Sequence, residues 1–366
     1  MPAMGAHRAT RREFIQGRAA VDRLAELAQQ ALPSDLGSAV EAEVAGPFRL
    51  HLTRRAMACE FEVILNAGEH AGASELAVEA LDLVDRLEAQ LTVYRDTSEL
   101  VAINRQAADE PVPVETRLFA LLELASRLHA ETSGAFDITA GPLTKAWGFF
   151  SRRGARPDEP EIQRALAAVG SQYLSLDPSS QTVQFLRPGM ELNLGAIGKG
   201  YALDRCSEFL DGAGLNSYLI HGGQSSVLAR GSQSGEGTTG SWTIGLGNPV
   251  HPGRQLAEID LFNQALATSG SRVQSFRQDG RRYGHILDPR TGEPAKGMLT
   301  STVIAPLAAT ADALSTAFYV LGVDRSVDFC QLHPEVGAVL VTRGPNGQSE
   351  THLLGRAAQQ VRLLSA

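Results

Sequence analysis

An α+β fold is what the sequence predicts, and three observations carry the expectation. Residues 59–65 alternate, with Phe61, Val63 and Leu65 on one face, as a half-buried strand does. Leu76, Ala80, Leu83, Val84, Leu87 and Leu91 recur at helical spacing over several turns. Segments of the two kinds then mix along the chain without the strict βα alternation of a parallel doubly wound sheet. The 366 residues are enough to bury a core that needs no disulfide, and 43% apolar with 20% charged residues places the chain among globular proteins. Cys59, Cys206 and Cys330 are too far apart in sequence to read as a CxxC pair or a disulfide framework. A net charge of −8, from 33 Lys and Arg against 41 Asp and Glu, argues against a broad nucleic-acid groove. No stretch approaches the roughly 20 apolar residues that span a bilayer.

Residues 1–46 read as a tail. Thr10-Arg11-Arg12-Glu13-Phe14-Ile15 looks like the head of a twin-arginine export signal, but residues 17–26 carry four charges where that signal needs an apolar run. Val21, Leu24, Ala28 and Leu32 suit a short amphipathic helix instead. This favours a cytoplasmic over a periplasmic address. From residue 47 to 366 we expect one domain. Its expected elements are strands at 48–53 and 59–65, helices through 76–91 and 118–128, and an ordered aromatic loop at 134–150. A helix at 161–169 and a hairpin of 173–176 with 182–185 around Asp177-Pro178-Ser179-Ser180 follow. A helix at 196–210 and a strand at 217–220 come next, then a Gly/Ser/Thr-rich excursion at 232–241. Strands near 243–246, 258–261 and 302–305, a helix at 310–321 and a strand at 336–342 complete the reading.

Several constellations can carry chemistry. Gly195-Ala196-Ile197-Gly198-Lys199-Gly200 fails the spacing of a phosphate-binding loop, and Gly200 stands where that loop has Ser or Thr. What remains is a glycine-rich turn opening a helix with Lys199 in its first turn, either an anion site or an ordinary turn. Asp312 and Thr316, four apart, share one helix face. Thr310 capping that helix with Asp312 at its dipole is one account, and a hard cation held by carboxylate, hydroxyl and carbonyl oxygens is the other. His285 precedes Leu287-Asp288-Pro289-Arg290-Thr291-Gly292, whose turn residues explain themselves structurally, while His285 is either structural or an acid/base. Gly222-Gly223 either bends the chain or permits close backbone approach. Gly134-Ala135-Phe136-Asp137 with Trp147-Gly148-Phe149 is either a loop packed by its own aromatics or a platform for a flat heterocycle.

The order of these segments carries more than any one of them. Met57-Ala58-Cys59, Thr92-Val93-Tyr94-Arg95, the run from Gly134 to Leu143, Trp147-Gly148-Phe149, the run from Asn193 to Ala202, Gly222-Gly223, Thr268-Ser269-Gly270, the run from His285 to Gly292 and the run from Ala311 to Ala317 together resemble the ApbE family of flavin transferases. The resemblance extends over roughly residues 49–322 and is most specific at HILDPRTG and ADALST. It implies an α+β fold related to the T-fold with FAD, as substrate, in a deep cleft. It also implies Mg²⁺-dependent transfer of the FMN moiety to a Thr or Ser hydroxyl of a target flavoprotein, with release of AMP. On this resemblance Met57, Tyr94, Ala135, Phe136, Asp137, Asn193, Lys199 and Leu287 would line the flavin nucleotide. Ala196 (through its carbonyl), Asp312 and Thr316 would hold the cation, and His285 would be the acid/base. Cys59 departs from the small hydroxyl residue usual in the family, and Asn193 from a common Asp. FAD pyrophosphate hydrolysis and flavin binding without turnover are the competing readings.

Overall fold

Met57 and Ala58 both have positive φ, 48° and 59°, and this two-residue turn closes β1 (Arg49–Ala56) onto β2 (Cys59–Asn66) with Ala56 opposite Cys59. Positive φ at both central positions matches the twist of the paired strands. In this computed structural model the described residues are 49–364, except 152, 234–239, 271–274 and 345. The tail, its twin-arginine-like start and its expected helix lie outside them.

The chain continues through α1 (Ala73–Leu91), α2 (Glu99–Gln106), β3 (Val112–Pro113), α3 (Thr116–Glu131), α4 (Gly141–Ala146), α5 (Glu159–Ala167), β4 (Leu174–Asp177), β5 (Thr182–Phe185) and α6 (Gly198–Gly212). Strands β6 (Tyr218–Gly222), β7 (Ser226–Arg230), β8 (Trp242–Gly247), β9 (Gln255–Leu261), β10 (Gln264–Gly270), β11 (Ser275–Gln278), β12 (Arg281–Gly284) and β13 (Met298–Ala305) follow. The last elements are α7 (Ala308–Leu332), which kinks at Gly322, then β14 (Gly337–Arg343), β15 (Ser349–Gly355), α8 (Ala357–Gln360) and β16 (Val361–Leu363).

Eight strands form one sheet in the order β1-β2-β6-β7-β10-β13-β14-β15, each pair antiparallel. Alternation along these strands divides the apolar residues between two cores. Phe61, Val63, Tyr218, Ile220, Leu228, Ala265, Ala267, Val303, Ala338 and Leu340 belong to the main core with residues of α1, α3, α6 and α7. Leu219, Val227, Leu266, Ile304 and Val339, the intervening positions, pack with Trp242, Leu246, Ala257, Ile259 and Leu261 of the small β16-β9-β8 sheet. The sheet is therefore covered on both faces, as an α+β layer arrangement requires.

A third, smaller core gathers Leu143, Trp147, Phe149, Ile162, Ala165 and Leu287. Its aromatics hold the β11–β12 hairpin: Phe276 stacks on Tyr283 at 5.3 Å, and Trp147 and Phe149 lie 5.5 Å from Tyr283 and 5.6 Å from Phe276. Trp147 is fully buried and donates from Nε1 to the Gly292 carbonyl at 2.8 Å. The structure thus realises the packed-loop account of Trp147-Gly148-Phe149. Part of the expected loop at 134–150 is the short helix α4, begun by Pro142 in its first turn. The expected β4–β5 hairpin forms with Leu174 opposite Phe185.

Candidate active site

Helices α6 and α7 meet at their N-termini, and Gly200 is what lets them. A Cβ built on Gly200 would stand 2.1 Å from the Ala308 carbonyl oxygen and 2.7 Å from the Ala309 nitrogen, so no side chain fits. Two carboxylates then cross the junction. Asp204 of α6 accepts the N–H groups of Ala308 and Ala309, both at 2.8 Å, which are free donors at the start of α7. Asp312 of α7 accepts the Gly200 N–H at 2.7 Å. Helix α7 begins at Ala308, two residues before the expected start, so Thr310 lies inside its first turn and does not cap it; the cap comes from Asp204. Burial, opposed by those two N–H bonds, pushes the Asp204 carboxyl up to about 6.

Around Asp312 the side chains are polar and close. Its Oδ1 accepts the Ser226 hydroxyl at 2.6 Å, and Lys199 Nζ stands 3.6 Å from Oδ2. One turn on, Thr316 Oγ1 lies 3.1 Å from Ser269 Oγ, which also meets Ser315 Oγ at 2.8 Å. Ser301, directly opposite Ser269 in the β10–β13 register, is fully buried and its Oγ has no hydrogen-bond partner among the described residues. Asp312 itself is only 5% exposed. The strand turns close the rim. Gly223, at φ 61°, donates to the Glu60 carbonyl at 2.8 Å, and a Cβ there would come within 2.9 Å of the Cys59 Cβ. Burial raises the Cys59 thiol; the charge of Lys199 opposes that and the charge of Asp312 adds to it.

The donor set is hydroxyl and carboxylate oxygen. Among the described residues no three His, Cys, Asp or Glu side chains gather into a metal cluster. Oxygens of this kind suit Mg²⁺ rather than zinc. Each Asp312 oxygen accepts one of the hydrogen bonds above and keeps lone-pair capacity. The residues therefore fit a small hard cation at Asp312 and Thr316. Ala196 is half-buried two residues before α6, on the turn where Ile197 and Gly198 donate to the Leu194 carbonyl.

The remaining expected positions fall around this cluster in different ways. Asn193 donates its N–H to the Ile138 carbonyl at 2.7 Å and accepts the Gly195 N–H on its side chain at 2.9 Å, tying the 135–139 loop to the entrance of α6. Ala135 and Phe136 are buried in the main core. Asp137 is spent on its own loop: Thr139 donates from N and Oγ1, Ser171 from N and Oγ, and His129 Nδ1 lies 3.1 Å away. Burial disfavours both charges of that pair, yet hydrogen bonding and attraction prevail, so His129 is raised and Asp137 lowered. Leu287 is sealed in the third core. Met57 sits on the β1–β2 turn, packed against the main core. Tyr94 is 67% exposed and stacks on Phe150 at 4.8 Å, over whose ring Lys145 Nζ lies at 5.4 Å. His285 follows β12, its ring 6.4 Å and edge-on from Phe149. Among the described residues no hydrogen bond or ion pair joins Tyr94, Asp137 or Leu287 to the Asp312 cluster.

The family model for ApbE matches residues 57–340, a span that holds every residue of this cluster. The chain belongs to the ApbE family. Among ApbE relatives, the FAD:protein FMN transferase of Klebsiella pneumoniae (strain 342) is 34% identical over 271 residues, 73% of this chain and 82% of that protein. One from Treponema pallidum (strain Nichols) is 34% identical over 275 residues, covering 72% and 76%. The solved flavin transferase ApbE of Vibrio cholerae superposes with a TM-score of 0.75 at 26% identity, over 86% of this chain and all of that one. The ApbE protein of Thermotoga maritima gives 0.74 at 29% identity, over 83% and 96%. The ApbE fold is thus present.

Ser226, Ser269 and Asp204 join this cluster and are not among the sequence candidates. Ser269 lay within a quoted motif, but nothing in local spacing pairs it with Thr316. Asp204 had a local signal: it stands one turn after Gly200 as Asp312 stands one turn after Ala308.

Proposed function

We propose that this ApbE protein transfers the FMN moiety of FAD to a Thr or Ser hydroxyl of a target flavoprotein, releasing AMP. The observation that carries the proposal is the buried Asp312 carboxylate, held by Gly200 N–H and Ser226 Oγ with Lys199 and Thr316 beside it. The bond formed joins the acceptor oxygen to the FMN phosphorus, the bond broken is the one from that phosphorus to the oxygen leaving with AMP, and the hydroxyl proton departs. Such chemistry asks mainly for positioning and charge neutralisation.

Gly200 and Ser226 fix the rotamer of Asp312, so its free lone pairs point one way before any substrate arrives. Lys199, in the first turn of α6, would add positive charge beside Asp312 for a phosphate oxygen. Asp312, Thr316 and the Ala196 carbonyl would hold Mg²⁺, which when bound stabilises the negative charge gathering on the AMP leaving group. His285 would accept the proton of the acceptor hydroxyl.

The test is incubation of the protein with FAD and Mg²⁺, with and without a flavoprotein from a neighbouring gene, reading AMP release and flavin fluorescence on denatured protein. Covalent flavin on the acceptor, lost in Asp312→Ala, is the expected result. AMP without bound flavin, in the presence of that acceptor, identifies a pyrophosphatase instead, and no AMP identifies a flavin binder. Wild-type AMP release by Asp312→Ala removes the carboxylate from the reaction.

A further inference from the structure

A cleft of about 460 Å³ opens beside the β11–β12 hairpin, lined by Arg156, Arg281, Arg282 and Lys296 with Glu293 as the one carboxylate among its lining residues. In a chain of net charge −8 this is a local reversal of sign. Among the described residues Arg156, Arg281 and Lys296 form no ion pair, and all three are exposed. The hairpin sharpens the excess, because Arg277 stands directly opposite Arg282 in its register. Like charges placed so repel, and the ribbon tolerates them more readily when an anion lies across them. The framework beneath is firm. Phe276 packs over Gly154, where a Cβ would meet its ring at 2.5 Å, and the Arg156 N–H is bonded to the Gln278 side chain at 2.9 Å.

Position gives the cleft its meaning. Gly284 lines it and His285 comes next in the chain; Pro294 lines it too and bridges back to Leu287. The cationic surface therefore borders the segment that carries the candidate acid/base. We propose that this cleft docks the acceptor protein through an acidic stretch flanking its Thr or Ser, steering the hydroxyl toward His285. The inference rests on the proposed transferase function. Opposite charge across such a surface contributes mostly to encounter rate and register, so it should be strongly salt-dependent.

The probes are two fluorescein-labelled peptides of about twelve residues, each with one central Thr, flanked in one by Glu and in the other by Gln. Anisotropy is read with the full chain at low salt and at about 0.3 M salt. Wild type is expected to bind the Glu peptide at least about tenfold more tightly than the Gln peptide, with the preference lost at high salt and in R281E/K296E. R281Q/K296Q should fall between them, and FAD-dependent AMP release should stay at wild-type level in both variants. Equal affinity for the two peptides overturns the proposal, as does an unchanged preference in R281E/K296E. A raised KM for FAD in the variants also overturns it, by assigning the cleft to the nucleotide. Selective loss of binding to phosphatidylglycerol vesicles with no peptide preference overturns it in favour of a lipid surface. Peptide discrimination by a wild-type protein that releases no AMP supports the anionic cleft while refuting the transferase reading.

Discussion

Gly200→Ala adds one methyl group at the point where two helices touch, and its cost can be worked from the geometry. The new Cβ would lie 2.1 Å from the Ala308 carbonyl oxygen, whereas ordinary contact begins near 3.4 Å. Backbone is rigid there, so α6 and α7 must part by more than an ångström. The Gly200 N–H to Asp312 bond at 2.7 Å and the two bonds from Ala308 and Ala309 N–H to Asp204 at 2.8 Å cannot all follow. Overpacking costs about 1–3 kcal/mol. Losing one hydrogen bond to a buried carboxylate costs about 1.5–3 kcal/mol more. Better helix propensity returns about 1 kcal/mol. The net, about 2–5 kcal/mol, corresponds in a chain of this size to a Tm lower by about 3–7 °C. Thermal unfolding followed by circular dichroism reads the stability, and AMP release from FAD reads the site, where a fall of at least about tenfold is expected because Asp312 is released from its fixed rotamer. A Tm at or above wild type with turnover intact would refute the close crossing and the role given to the Gly200 N–H.

The other expectations concern single groups. Ser226→Ala removes the donor to Asp312 Oδ1 and should cost about 1–3 kcal/mol in denaturant unfolding while lowering AMP release; an unchanged pair of values would show that Ser226 is idle. His129, raised by Asp137, contributes stability that is fully present below its unfolded value of about 6.5 and is lost as pH climbs through its folded value. Asp137, lowered, contributes stability present above its unfolded value of about 3.9 and lost as pH falls through its folded value. His129→Gln should therefore destabilise more at pH 6 than at pH 9, and a pH-independent difference in Tm would contradict the ion pair. Asp204 has the opposite sign: its carboxyl, raised to about 6, keeps a proton in the fold that the unfolded chain has lost, so stability declines as pH rises from about 4 to 6. Asp204→Asn should flatten that part of the Tm–pH curve, and an identical slope in both proteins would refute the burial argument.

Local chemistry was legible and crossing chemistry was not. The periods that predicted α1, β2, α3 and α7 follow from which face is buried, and that information resides in each segment. The β4–β5 hairpin was readable because Asp177-Pro178-Ser179-Ser180 is turn chemistry in itself. Helix α2 and the pair β11–β12 escaped for the same reason: they are short and polar, and Phe276 and Tyr283 become meaningful only against Trp147, more than a hundred residues earlier. Asp312, Thr316 and Lys199 were found as candidates from the motifs around them, and the structure brings them together. Asp137, which the resemblance would place at the nucleotide, holds its own loop through Thr139, Ser171 and His129, partners no local pattern reveals.

The junction of α6 and α7 explains how two carboxylates are accommodated in so buried a place. Each helix begins without a side-chain cap of its own, Ile197 and Leu307 occupying those positions. Each instead receives its acceptor from the other helix, one turn inside: Asp204 serves Ala308 and Ala309, and Asp312 serves Gly200. The exchange places two negative charges at two positive helix ends, which offsets part of their desolvation. It also makes the two sites interdependent, since Asp312 keeps its orientation only while Asp204 holds α7 against α6. Had α7 been capped locally by Thr310, its first turn would be satisfied without contact to α6, and nothing would fix Asp312 over the start of that helix. The foreign cap is what converts two ordinary helix starts into one polar corner, and Gly200 is the residue whose absence of a side chain permits it.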